Sequence, residues 1–84
     1  DLHLALGLLA ERQRDRHGAL RSLETACRLA PESWEAHQAL SRLLAARAAE
    51  LGHPKRLVER AQFHAVRALS LGAAERQRGA LLYQ

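Results

Sequence analysis

The 84-residue chain has few of the residues that build strands and disulfides. Cys27 is its one cysteine, which excludes an internal disulfide and a zinc site made of several cysteines. Val58, Val66 and Thr25 are its β-branched residues, and isoleucine is absent, which argues against strands. We therefore predict an all-α fold, in which Cys27 is a small buried apolar residue.

Long apolar runs are also absent, since none approaches the roughly 18 residues that a membrane-spanning helix needs. No leader segment is visible. We predict no membrane association and, by default, an intracellular (cytoplasmic) location. The chain begins at Asp1, already inside the first helical pattern, so we expect it to be a segment of a longer protein.

The first half of the chain has apolar residues at helical spacing in two stretches. A helix from about Leu2 to Arg12 and a second one, capped by Asp15 and ending before Pro31, are predicted. A polar link joins them, so they should form an antiparallel hairpin. The inward stripes are formed by Leu2, Leu6, Leu9 and Ala10, and by Leu20, Leu23, Ala26, Cys27 and Ala30.

The second half predicts a longer hairpin and one more helix. Ser33 caps a third helix that begins at Trp34, Gly52 ends it, and Pro54 begins a fourth helix that closes at Gly72. The fourth helix matches the second at an offset of 42 residues rather than 34, so eight added residues should lengthen each helix of this hairpin by about one turn, roughly 6 Å. Residues 73–84 are predicted to form a fifth, terminal helix.

One spacing occurs twice, 34 residues apart. It reads His3-x-x-Leu6-Gly7-x-x-Ala10, with Ala19-x-x-x-Leu23, Ala26 and Pro31 after it, and then His37-x-x-Leu40-Ser41-x-x-Leu44. The pattern resembles the tetratricopeptide repeat (TPR), although His3, Ala10 and Leu23 replace the large aromatics of that family. The resemblance implies stacked antiparallel helix hairpins of an α-solenoid, with about five helices. Repeat one would span 1–33, repeat two with its extended hairpin 34–72, and a terminal or capping helix 73–84.

The resemblance also implies a non-enzymatic scaffold that binds a peptide, a helix or a neighbouring subunit in a groove. The groove would be lined by the first helix of each repeat. The corresponding residues are Leu4, Leu8 and Glu11 in repeat one and Glu35, Gln38, Ala39 and Arg42 in repeat two. Family members that clamp the acidic tails of heat-shock chaperones have Lys and Asn at such positions, and that clamp is absent here. The partner would be a protein or peptide, a second copy, or flanking repeats that make this segment a structural spacer.

A different function is suggested by a basic stripe on the fourth helix, formed by Arg56, Arg60, His64 and Arg67. Phe63 lies at its border, and arginines beside an aromatic residue can bind phosphates and stack on bases. Glu59 is adjacent, however, and a solvated basic face is the commoner explanation. RNA or DNA contact is therefore the alternative function and is not the expected one.

Catalysis and metal binding have little support in the sequence. The two aspartates, Asp1 and Asp15, both fall at predicted helix ends, and no catalytic triad converges, so neither an enzyme nor a cofactor is predicted. His3 and His37 occupy equivalent places on neighbouring helices, but no third ligand accompanies them. We interpret these histidines as packing residues and predict no metal site.

Overall fold

Four helices make up the structure, a computed structural model that describes residues 2–82 and the side chains of residues 2–79. They are α1 (Leu2–Arg12), α2 (Arg16–Leu29), α3 (Trp34–Glu50) and α4 (Lys55–Leu82). No strand occurs among the described residues, which confirms the all-α prediction. None of the helices is long and apolar enough to cross a membrane over this range.

The predicted helix ends are confirmed where a side chain or a glycine defines them. The Asp15 carboxylate accepts the backbone N–H of Gly18 at 3.1 Å at the start of α2. The Ser33 hydroxyl accepts the N–H of Ala36 at 3.3 Å at the start of α3. After α3, Gly52 adopts a φ of 80°, the left-handed conformation that glycine tolerates best. These ends follow from local chemistry that the sequence displays.

The predicted break at Gly72 does not occur, and the count of five helices is wrong for the described residues. α4 continues for 28 residues and includes most of the predicted terminal segment, of which residues 83 and 84 lie outside the described range, as Asp1 does. One glycine inside a helix costs only about 1 kcal/mol relative to alanine. Its neighbours in 73–82 are good helix formers with no proline among them, so the helix continues through it.

The residues added to the second hairpin are helical. α3 has 17 residues, whereas α1 has 11, and a four-residue link separates α3 from α4. Residue numbers increase along α3 while those of the contacted residues on α4 decrease. His37 contacts His64, and the Ser41 hydroxyl donates to the Ala61 carbonyl at 2.9 Å. α3 and α4 are therefore antiparallel.

The first hairpin packs closely because Gly7 has no side chain. A Cβ placed on Gly7 would lie 2.7 Å from both Cγ and Cδ2 of Leu23, which is itself fully buried. The two hairpins then meet through α2 and α3, and ion pairs at the rim join Arg16 to Glu50 and Glu24 to Arg60. The contact between Gly7 and Leu23 therefore sets the spacing of α1 and α2.

The core lies between α2, α3 and the first half of α4. Its largest fully buried side chains are Leu23, Leu40 and Leu44, with alanines and Cys27 around them. Three of the four residues predicted to face inward on α1 do not, because Leu2, Leu6 and Leu9 are 44–70% exposed. The fourth, Ala10, packs against the core, and Gly7 is the buried residue of α1. α1 packs on α2 through its Gly7 face, and that arrangement leaves its leucine face uncovered.

Candidate functional site

The residues predicted to line a groove on α1 do not form one apolar surface. Leu4 is half-buried and packs against the core, whereas Leu8 is exposed. The Glu11 carboxylate accepts a hydrogen bond from the Arg42 guanidinium at 3.0 Å. Two charged residues of the predicted groove are therefore already engaged with each other across α1 and α3.

The remaining predicted groove residues lie on α3. Glu35 and Gln38 are exposed, as predicted for an outward face, but Ala39 is buried in the core. Gln38 borders a different concavity, which lies between α3 and α4. The described residues that line this concavity come from α3 and α4.

That concavity is a mainly apolar cleft on the described surface. It has a volume of about 690 Å³, within the range of natural binding clefts. The polar residues Gln38, Ser41, Glu75 and Arg76 are part of its lining. Its apolar lining consists of Trp34, Leu69 and three small residues of α4 that we take as its floor, Ala65, Ala68 and Gly72. We call these five residues the α3–α4 groove. Its small floor residues recur at helical spacing on α4, which allows another backbone to approach closely.

A second apolar surface lies on α1, the first helix of the chain. Leu2, Leu6 and Leu9 are spaced by four and three residues, so they share one helical face. All three are exposed. We call them the leucine stripe. Exposed contiguous apolar surface of this kind on a small helical protein is typical of a contact site.

The predicted basic stripe is only partly available to a ligand. Arg60 donates to the Glu24 carboxylate at 2.5 Å, and the His64 ring turns toward His37. Arg56 and Arg67 are exposed. Two of the four members are therefore occupied by contacts within the protein, and the stripe does not present a continuous row of free cations.

His37 and His64 form a direct contact that the sequence analysis missed. His37 is 5% exposed, and its Nε2 lies 2.8 Å from the Pro31 carbonyl, which can only accept, so Nε2 carries the proton. A His37 ring in its Nε2–H tautomer offers Nδ1 as an acceptor, and in that arrangement the Nδ1–H of His64 donates to it across the 2.8 Å that separate the two atoms. The rings stack with centroids 5.1 Å apart.

Cys27 completes a cluster with these two histidines. One ligand atom of each of the three residues lies within 4.8 Å of the others. Burial, with a smaller contribution from Glu24, raises the pKa of the Cys27 thiol to about 11. Burial also lowers the pKa of His64, helped by His37 and Arg60 and opposed by Glu24. The Cys27 thiol and the His64 ring are therefore neutral near pH 7, and a thiol with a raised pKa is not an activated nucleophile.

Residue spacing alone indicates little of this cluster. The 34-residue spacing aligns His37 with His3, and the helical pattern predicts Cys27 in the core. Cys27 and His37 flank the turn at Pro31 at a spacing that matches no standard metal motif. His64 joins them through the packing of α4 on α3, which residue spacing does not reveal.

When the chain is compared with known proteins, no family model, no curated protein and no solved structure matches it.

Proposed function

We propose that this chain is a non-enzymatic protein-interaction scaffold, a TPR-like helical module whose α3–α4 groove receives an amphipathic helix of a partner. The observation that carries the proposal is the groove itself, an apolar cleft of about 690 Å³ between Trp34 and Leu69. Aromatic and aliphatic walls supply the apolar area that drives association.

The floor of the groove favours a helix as the occupant. Packed helices lie with their axes about 8–10 Å apart, and the closest approach requires small residues at the contact. Ala65, Ala68 and Gly72 fall on one face of α4 at spacings of three and four residues. A Cβ on Gly72 would still lie 3.9 Å from the Trp34 ring, so Trp34 borders this face without filling it.

The occupant we propose is the leucine stripe of a second copy. Leu2, Leu6 and Leu9 form an exposed apolar face on a helix, which is the surface complementary to an apolar groove. The TPR resemblance also places α1 as the first helix of a repeat, and in repeat arrays each unit buries its apolar faces against its neighbours. Association of stripe and groove would be head-to-tail, with different surfaces on the two copies.

Sedimentation velocity over a concentration series tests this proposal. The wild-type chain should self-associate. Leu69→Glu should weaken association about 10- to 150-fold, because burying one leucine is worth roughly 1.5–3 kcal/mol. Leu51→Glu, at an exposed leucine outside both surfaces, is the matched control and should behave as wild type. A wild-type chain that stays monomeric at all concentrations, or Leu69→Glu that associates normally, contradicts the proposal.

RNA or DNA contact is the runner-up and would use Arg56 and Arg67, since Arg60 and His64 are engaged within the protein. Phosphate binding weakens steeply with salt, whereas apolar association does not. Titration of a fluorescent single-stranded oligonucleotide at two salt concentrations distinguishes them. Salt-sensitive binding that Arg56→Glu and Arg67→Glu together abolish, with self-association absent, would favour the nucleic-acid function.

A further inference from the structure

Three potential metal ligands converge from three different helices. Cys27 comes from α2, His37 from the first turns of α3, and His64 from α4. One ligand atom from each lies within 4.8 Å of the others. We propose that Cys27, His37 and His64 form a binding site for a zinc-like metal ion, and that the ion joins the two helix hairpins.

The distances are close to those that a tetrahedral zinc ion requires. Zn–S bonds of about 2.3 Å and Zn–N bonds of about 2.0–2.1 Å imply ligand atoms roughly 3.3–3.6 Å apart. The two Nδ1 atoms are 2.8 Å apart, and the whole set lies within 4.8 Å. Each side chain would therefore move by about an ångström or less, which small χ rotations supply.

His37 is already oriented as metal-binding histidines are. Such histidines almost always donate their other ring N–H to a carbonyl or carboxylate, which fixes the tautomer and the ring plane. The Nε2–H of His37 donates to the Pro31 carbonyl at 2.8 Å, and this leaves Nδ1 directed at His64. The backbone turn between α2 and α3 thus holds the first ligand in place.

The donor set and its surroundings fit zinc. One sulfur and two imidazole nitrogens suit Zn²⁺ better than the oxygen-seeking Mg²⁺ or Ca²⁺. A shallow hollow bordered by Arg56 and Phe63 reaches His64, which gives an ion a route from solvent to this ligand. Glu24 pairs with Arg60 and offsets the nearest positive charge.

Loading of the site releases one proton. The Cys27 thiol gives up its proton to solvent and binds as thiolate, as zinc-bound cysteines do. His64 transfers its proton from Nδ1 to Nε2 by exchange with water, which frees Nδ1 for the metal. The hydrogen bond between the two rings is replaced by two metal–nitrogen bonds, and both imidazoles stay neutral.

Cobalt titration of the chelator-treated full chain tests the site, because tetrahedral Co²⁺ is coloured and its thiolate charge-transfer band reports a Co–S bond. We expect a stoichiometric band that Zn²⁺ displaces, and a melting temperature that rises with Zn²⁺. Cys27→Ala should abolish the band and weaken Co²⁺ binding about 100-fold or more. Removal of a residue that only hydrogen-bonds to a metal ligand weakens metal affinity by about 10- to 100-fold, so the loss of a ligand should exceed that. His17→Ala, at an exposed histidine, is the control and should change neither readout.

His64→Ala gives a second test at a half-buried position, so its effect does not depend on opening the core. It should weaken Co²⁺ binding as Cys27→Ala does while far-UV circular dichroism stays helical. The proposal is overturned if the wild type gives no charge-transfer band at one equivalent of Co²⁺. A band that survives in His64→Ala, or one that disappears in His17→Ala, overturns it equally.

Discussion

Replacing Gly7 with alanine tests how closely α1 and α2 approach. The new Cβ would lie 2.7 Å from Cγ and Cδ2 of Leu23 and 3.4 Å from its backbone nitrogen. Leu23 is fully buried and cannot move aside without displacing other core residues. Overpacking of this kind typically costs about 1–3 kcal/mol. Alanine recovers about 0.8–1.0 kcal/mol of helix propensity, so we expect a net loss of roughly 1 kcal/mol.

Gly72→Ala is the matched control, because it gains the same propensity without the clash. Its Cβ would lie 3.9 Å from the Trp34 ring, an ordinary van der Waals contact. We expect this variant to be stabilised by up to about 1 kcal/mol. Urea denaturation followed by circular dichroism, at concentrations low enough to avoid self-association, measures both. A 1 kcal/mol change moves the melting temperature by about 4–8 °C in a domain of this size.

A double-mutant cycle separates packing from other effects of Gly7→Ala. In a Leu23→Ala background the two contacts at 2.7 Å no longer exist. Gly7→Ala should then become neutral or stabilising, with a coupling energy of about 1–3 kcal/mol. If Gly7→Ala stabilises the wild-type chain as much as Gly72→Ala does, the close approach of α1 and α2 is refuted.

Three further changes test other parts of the fold by urea denaturation. Leu40→Ala should cost about 2–5 kcal/mol because the side chain is almost fully buried, and a loss below 1 kcal/mol would contradict the core. Ser33→Ala should cost about 0.5–2 kcal/mol by removing the cap of α3, whereas Ser33→Asp should retain stability. Arg14 has a φ of 60°, which glycine adopts more readily, so Arg14→Gly should stabilise the chain by up to about 1 kcal/mol. A destabilised Arg14→Gly variant would show that contacts of the arginine side chain outweigh the cost of its backbone conformation.

The parts of the fold that local chemistry determines were predictable. Asp15 and Ser33 cap helices because their side-chain oxygens accept free N–H groups, and a sequence shows such residues directly. The break at Gly72 was wrong, because a glycine ends a helix only where the chain needs its left-handed conformation. Gly52 is in that conformation and Gly72 is not. Composition alone does not distinguish the two.

The site was less predictable, because it depends on which helix faces are covered. The leucines of α1 have helical spacing on more than one side, and the structure buries the side that contains Gly7. The spacing therefore indicated an amphipathic helix but not which face it would bury. The meeting of His64 with His37 depends on the packing of α4 along α3, which residue spacing does not reveal.

The central proposal, that the leucine stripe of one copy enters the α3–α4 groove of another, is tested most directly by mixing two variants that are each defective in one surface. Leu2→Glu with Leu9→Glu disables the stripe, and Leu69→Glu disables the groove. Each variant alone should sediment as a monomer. An equimolar mixture should form a dimer and nothing larger, because one intact stripe and one intact groove remain. A mixture that stays monomeric while the wild type associates, or a single variant that associates as the wild type does, contradicts the account.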